Sequence, residues 1–283
     1  MSLMREVRAA GGVLVAALLA AGLVSCDARA PSPSAGALTQ PSPSPAATDE
    51  GASPSPTPSA SPSPAPSPPT VHVGTLSGTS PNDTGPGAYR YQVEYPRLDG
   101  LGGGREVTLD TAMQGTLQRE VYDFVDAARA APMGPTRSEL DCHSRTVRLT
   151  GRLAVLRVDC TEYQAGAAHP TTTTTTFNCD LDGGRVLALQ DLFGIGSTYL
   201  TVLSDAARDQ LTRLHVADEQ TLVDGTAPVA ANFRDFLLTQ AALVVVFARY
   251  QVAPGTAGQP EVSVPYQALD PYLAPRVREL VAA

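Results

Sequence analysis

Four cysteines and four histidines are the side chains of this 283-residue chain best suited to covalent or metal chemistry. His72, His143, His169 and His215 stand far apart, and no two share the spacing of a metal pair. Asp180, Asp182 and Gly183 begin like a calcium loop, with Asp191 where the last ligand would stand. Arg185 occupies the position that needs glycine, however, and Asp191 is shorter than the usual bidentate Glu, so the stretch reads as a hairpin turn. There is no Gly-x-Ser-x-Gly elbow, and Gly194-Ile195-Gly196 lacks the third glycine of a dinucleotide loop. The expectation is therefore no catalytic residue, no metal and no cofactor. His169, in the loop AGAAHP, and Arg249, Tyr250 and Gln251, just after the densest apolar run, are the residues expected to face a ligand. The alternative for the last three is a sheet rim with the tyrosine packed on the core.

The cysteines divide by position. Cys26 follows Leu23-Val24-Ser25, after a basic start (Arg5, Arg8) and an apolar stretch, Ala9 to Leu23. That order is a secretory signal, and the residues before Cys26 resemble a bacterial lipobox. The resemblance implies cleavage after residue 25, diacylglycerol on Cys26, and anchoring in the lipid bilayer at the outer face of the cell membrane. The apolar stretch is short of the roughly 20 residues that a spanning helix needs. In an oxidising compartment the remaining Cys142, Cys160 and Cys179 can form at most one intramolecular disulfide. Cys142 and Cys160 lie equally far from Gly151, the centre of a predicted hairpin, which favours Cys142–Cys160. Cys160–Cys179 is the rival.

The chain must hold these groups on a core smaller than its length suggests. Many of its 25 prolines fall between 31 and 69, in runs such as PSPSP. Such a tract cannot bury enough apolar surface to offset its ordering entropy, and alternating proline favours extended polyproline II. Residues 26–86 are thus expected to be a disordered linker or stalk, leaving 87–283 as the folded domain. All 20 basic residues are Arg, and the net charge is −8. The Ala, Gly and Arg bias points to a GC-rich, actinobacterial Gram-positive genome. An acidic surface without a basic stripe excludes nucleic acid as the expected partner and suits a basic one.

Within 87–283, Tyr89–Tyr95 alternates like a strand, preceded by at most one edge strand at Val71–Leu76. From Leu109, the spacing of Met113, Leu117, Val121, Phe124 and Ala128 predicts a helix, capped by Thr108 or Asp110 and ended by Pro132 and Gly134. Leu140–Tyr163 reads as a hairpin. Thr171–Phe177 is a strand leading through Asp182-Gly183-Gly184 into Arg185–Leu189. Ser197 is expected to cap a helix that buries Leu200, Leu203, Ala207, Leu211 and Leu214. Phe233–Thr239, Ala241–Ala248 and Glu261–Pro265 are expected at the centre of an antiparallel sheet, and Ala268–Val281 as a closing helix. The fold class is α+β: an antiparallel sheet with helices packed on it.

Three segments carry a family resemblance: EYPRLDG at 94–100, HPTTTTTTFNCDLDGGRVLALQDLF at 169–193, and NF…YQVAP…G…V.VPY at 232–266. Together they resemble the RsiV-like family of extracytoplasmic domains over roughly 88–283. The resemblance implies a sheet with helices against it and a lysozyme-like or other envelope protein as partner. Cys179 stands where the family would place an aromatic residue, and no sigma-factor-binding segment precedes the apolar stretch. The expected function is a membrane-anchored, non-enzymatic lipoprotein with a ligand-binding domain. The alternatives are a cell-wall glycan hydrolase or transferase, or a structural, antigenic surface protein.

Overall fold

A computed structural model of the chain describes residues 68–282, except 83, 132–135 and 216–217. The signal peptide, Cys26, the Pro/Ser tract up to 67, and Pro132 and Gly134 lie outside the described residues. The α+β class holds. A six-stranded sheet and a three-stranded sheet, each clad with helices, enclose two clusters of buried side chains.

The larger sheet runs in chain order from β1 (Thr70–Thr79) through β2 (Tyr89–Asp99), β3 (Ser138–Leu149), β4 (Leu153–Tyr163) and β5 (Thr171–Asp180) to the short β6 (Arg185–Val186). β1 lies in the stretch that composition assigns to the linker, so the folded part starts earlier than residue 87. Its glycines explain how a Gly/Thr/Ser-rich segment makes a strand. Tyr95 and Tyr91 of β2 lie across from Gly74 and Gly78. A Cβ on Gly74 would fall 2.3 Å from the Tyr95 ring. Glycine there lets the rings close over the strand.

Helix α1 (Arg105–Ala130) carries the chain from β2 back to β3, which pairs parallel to β2, Tyr89 opposite Ser138. This is the one departure from an antiparallel sheet, and it follows from the connection: a crossover helix returns the chain in the same direction. α1 buries Leu109, Met113, Leu117, Val121, Phe124 and Ala128 against the sheet. Its cap differs from expectation. Gly104, at φ 76°, precedes the first turn without a side-chain bond. Asp110 instead accepts the Leu98 N–H at 2.8 Å and pairs with Arg97, clipping the helix to β2.

β3 and β4 form the expected hairpin, with Cys142 opposite Cys160 and the two sulfurs bonded. A bulge between Thr146 and Arg148 leaves Val147 unpaired and packed toward the second cluster. β4 is buried on both faces: Ala154, Leu156, Val158 and Cys160 join the α1 cluster, whereas Leu153 and Val155 join the other. Near-continuous burial is why β4 reads as an apolar run rather than an alternation.

The stretch 232–266 makes its own sheet, β7 (Phe236–Leu238), β8 (Ala242–Val246) and β9 (Glu261–Pro265), with β8 central. It is not the middle of a single larger sheet. Around it pack α2 (Tyr199–Leu214), α3 (Glu219–Gly225), the short α4 (Tyr266–Leu269) and α5 (Pro275–Ala282). Thr198, not Ser197, precedes α2, and Leu214 at its end is 63% exposed. The expected closing helix is split: Pro271 stands just past the end of α4, and Pro275 opens α5.

The two sheets are stitched by side chains of β5. The Asn178 amide donates to the Phe236 carbonyl at 2.7 Å and accepts the Leu238 N–H at 2.8 Å. Thr176 Oγ1 accepts the Phe236 N–H at 3.1 Å. Asn178 thus behaves like a strand neighbour for β7, satisfying backbone groups that burial would otherwise orphan. Arg157 of β4, 9% exposed, adds a second tie through Asp159 and Glu261 of β9. At the other end, Arg276 of α5 holds Asp180 and Asp182, and Arg152 holds Asp182 at 2.7 Å. The two carboxylates of the calcium-like pattern are thus clamped by guanidinium groups, and Asp191 caps the Ala188 N–H and pairs with Arg185.

Candidate functional site

β6 pairs only with the last two residues of β5. Among the described residues, the rest of that edge of β5 has no strand beside it. A groove of about 700 Å³ opens there, with α1 on one side and the loop before β7 on the other. The Thr-rich sequence of β5 gives it hydroxyls on both faces: Thr173 to Thr176 all line it. A strand alternates its side chains, so Thr175 turns to α1 while Thr174 and Thr176 turn to the smaller sheet.

Four carboxyl-bearing residues line the groove, Glu120, Asp123, Glu162 and Asp235, and burial perturbs Glu120 and Asp235. Glu120 of α1 accepts the Thr175 hydroxyl at 2.5 Å. Burial pushes its pKa up, the charge of Asp235 pushes the same way, and the Thr175 bond only partly offsets them. Asp235, whose side chain is 18% exposed, is also pushed up by burial, against the pull of Arg234 at 3.2 Å. Both are held toward the protonated form, in which a carboxyl donates as well as accepts hydrogen bonds. Titratable groups perturbed by burial in a cleft mark a functional-site candidate.

A smaller cavity, about 250 Å³, shares Thr173, Thr174, Arg234 and Asp235 with the groove and ends at Arg249 and Tyr250. Of the residues expected to face a ligand, these two therefore adjoin the groove, and the bridged Cys160 is among the residues that line it. His169 lines neither cavity. It is exposed, and its Nδ1 lies 3.0 Å from the Pro170 carbonyl, the same oxygen that accepts Arg249 Nη1 at 3.4 Å. Gln251 is a structural staple instead. Its Nε2 donates to the Gly225 and Asn232 carbonyls and its Oε1 accepts the Ala248 N–H, so its amide has no group free for a ligand. Cys142 and Cys160 form the bridge under α1, and Cys179 is buried beside Met113, its thiol pushed up to about 12 by burial and by the Asp110 charge. Glu120 and Asp235 were not anticipated. The run of six threonines ending in Phe177-Asn178 was the available signal, since hydroxyls on both faces of a buried-edge strand require polar partners on both sides.

Residues 190–267 match the family model described as a protein of unknown function, DUF3298, a span that holds Arg234, Asp235, Arg249 and Tyr250. Two solved structures from DUF3298 proteins share the fold. One, from Pseudomonas aeruginosa PAO1, covers 75% of this chain and 97% of its own, at 16% identity and TM-score 0.53. The other, from Bacteroides fragilis NCTC 9343, covers 75% and 98%, at 17% identity and TM-score 0.55. A curated relative, the peptidoglycan-N-acetylmuramic acid deacetylase PdaC of Bacillus subtilis strain 168, is 27% identical over 180 residues. That match takes in 62% of this chain but spans only 37% of the relative's length. The relative overturns the expectation of a non-enzymatic domain whose ligand is a lysozyme-like or other envelope protein, and it turns attention to the cell-wall glycan kept as the alternative. These comparisons support a likeness to DUF3298 over residues 190–267 and the shared fold of the two solved structures.

Proposed function

We propose that this domain engages the glycan strand of peptidoglycan, with a sugar lying along the edge of β5 between Glu120 and Asp235. The observation that carries this reading is the groove itself. Two half-buried carboxyls, both shifted toward protonation by burial, line it together with a row of threonine hydroxyls. Sugar hydroxyls and acetamido groups both donate and accept hydrogen bonds, and a site whose carboxyls and hydroxyls do likewise matches them from both sides. Phe124 and Phe177, each 3% exposed, back the groove from the core. A carboxyl whose pKa is raised is better placed to pass a proton, so the same pair can serve acid–base chemistry on the bound glycan. The B. subtilis relative's action on peptidoglycan supports the choice of substrate class.

Co-sedimentation with purified peptidoglycan sacculi tests the reading, with acetate release measured in the same tubes. The wild-type protein is expected to pellet with sacculi, and Glu120→Ala and Asp235→Ala to remain largely in the supernatant. Wild type that stays in solution, or variants that pellet equally, would refute it. The address is a separate proposal: Cys26 carries lipid and holds the chain at the outer face of the membrane, as Leu23-Val24-Ser25-Cys26 suggests. Intact-mass analysis should show added lipid on a chain starting at Cys26, and a mature chain without it would refute the anchoring.

A further inference from the structure

We infer that the smaller cavity is a subsite for a carboxylate carried by the glycan, with Arg249 as the residue that recognises it and Tyr250 as its platform. The inference rests on the glycan reading above and names which glycan is preferred.

The geometry of Arg249 is that of a cation left short of partners. Its Nε is buried and donates to no protein atom, and its one backbone acceptor, the Pro170 carbonyl, is 3.4 Å from Nη1. A guanidinium presents donors in a planar fork that matches a carboxylate with two parallel bonds. Arg234 lines the same cavity, and its side chain is 77% exposed beside Asp235. Two guanidiniums therefore meet one carboxyl here, a local cationic balance within a chain of net charge −8.

Tyr250 supplies the second, independent observation. It is one of two non-glycine residues at positive φ, 68°, among the described residues, and its side chain is 60% exposed. A bulky residue held in that region is strained, and such strain gathers at ligand sites. The backbone around it is shaped for the ring: a Cβ on Gly255 would fall 2.3 Å from Tyr250. The Arg249 guanidinium lies 5.2 Å from the ring centroid, so the ring steadies the cation while one face of the pair stays open. An exposed aromatic fixed beside a cation offers stacking to a sugar ring and a fork to its acidic substituent.

The cavity and the groove share Thr173, Thr174, Arg234 and Asp235, so a sugar in the groove can project a substituent toward Arg249. Muramic acid bears such a substituent, an O-lactyl group that ends in a carboxylate or continues into a stem peptide with its own carboxylates. N-acetylglucosamine, otherwise similar, has none.

The test is calorimetric titration of the full chain with three tetrasaccharides: chitotetraose, the alternating N-acetylglucosamine–N-acetylmuramic acid tetrasaccharide without peptide, and the same with stem peptides. At least one carboxylate-bearing ligand is expected to bind about tenfold or more tightly than chitotetraose, which is about 1.4 kcal/mol. Preference for the peptide-free form assigns the lactyl carboxylate, and preference for the other assigns the stem. Arg249→Gln should abolish the preference, weakening the carboxylate-bearing ligand about tenfold more than chitotetraose, and Arg249→Lys should retain part of it. Equal wild-type affinities overturn the inference and leave the glycan reading standing, whether or not the Gln variant folds. A folded Arg249→Gln protein that keeps the preference also overturns it. If none of the three binds, the glycan reading falls and takes the subsite with it.

Discussion

Asn178→Ala breaks the seam between the two sheets at its most exposed point of failure. Asn178 is 1% accessible, and its amide serves two backbone groups of β7, at 2.7 Å and 2.8 Å. Truncation leaves the Phe236 carbonyl and the Leu238 N–H buried without partners, Phe236 being 3% and Leu238 0% exposed. Each orphaned group costs about 1–3 kcal/mol. The small cavity left by the amide adds to this, and partial relaxation of a three-residue strand subtracts, so the expected loss is about 2–5 kcal/mol. For a domain of this size that is roughly 5–15 °C in Tm. Urea unfolding of the protein, followed by far-UV circular dichroism, should show a lower midpoint at unchanged m. Asn178→Asp separates the two bonds. It keeps the acceptor for Leu238 but sets a carboxylate against the Phe236 carbonyl, so it should be at least as destabilised at pH 7 and recover as pH falls and the acid becomes a donor. Because Asp235 directly precedes Phe236, retention on sacculi should fall with stability in both variants. A loss below about 1 kcal/mol for Asn178→Ala, or an Asp variant insensitive to pH, would show that the seam is held elsewhere.

Three further outcomes follow from the same contacts. Glu120 has a folded pKa raised above its unfolded value, so its contribution to stability is complete below the unfolded pKa and is lost as pH rises through the folded one. Glu120→Gln should therefore be more stable than wild type at neutral pH, with the gap closing in acid, as read from thermal melts in a pH series from acid to neutral. For Asp180, burial raises the pKa but is outweighed by Arg276 and the Gly183 N–H, leaving it lowered; its stabilisation is present above the unfolded pKa and lost as pH falls through the folded one. Arg276→Ala should cost about 3–5 kcal/mol at neutral pH, because the Asp180 side chain left behind is only 4% exposed, and the penalty should shrink in acid denaturation. Replacing Cys142 and Cys160 together by Ser should cost about 3 kcal/mol for a sequence separation of 18, while native Cys179 should resist iodoacetamide until urea exposes it.

What could be read from the residues was what local periodicity governs. The buried face of α1 emerged from 3–4 spacing, β9 from the glycine and proline punctuation before it, and the turn into β6 from Asp182-Gly183-Gly184. Long-range pairing was harder. Nothing in Tyr89–Asp99 or Ser138–Leu149 announces that these strands run parallel, and nothing in 232–266 says that it closes its own sheet rather than joining the first. The groove was hidden for a related reason. Thr116, Glu120 and Asp123 lie between the apolar positions of the α1 pattern, and Asp235 falls inside the strand expected over Phe233–Thr239; only the free edge of β5 brings them to one place. Arg249 and Tyr250 were conspicuous because polar residues follow an apolar run directly, whereas Gln251 beside them was indistinguishable until its three backbone bonds were seen.

The position of β1 has a mechanical consequence. Whatever lies before Thr70 is joined to the sheet through an edge strand whose ten residues pair with β2 from Thr70 opposite Asp99 to Thr79 opposite Arg90. Tension drawn along that strand loads the whole ladder in shear, so its hydrogen bonds must yield together. Tension drawn across it, lifting Thr70 away from Asp99, opens the ladder one pair at a time. The rate of forced opening, which the unfolding barrier governs, therefore depends on the direction of pull. A domain gripping a wall polymer while its N-terminal chain is drawn taut along β1 would resist far more force than the same domain peeled from its edge.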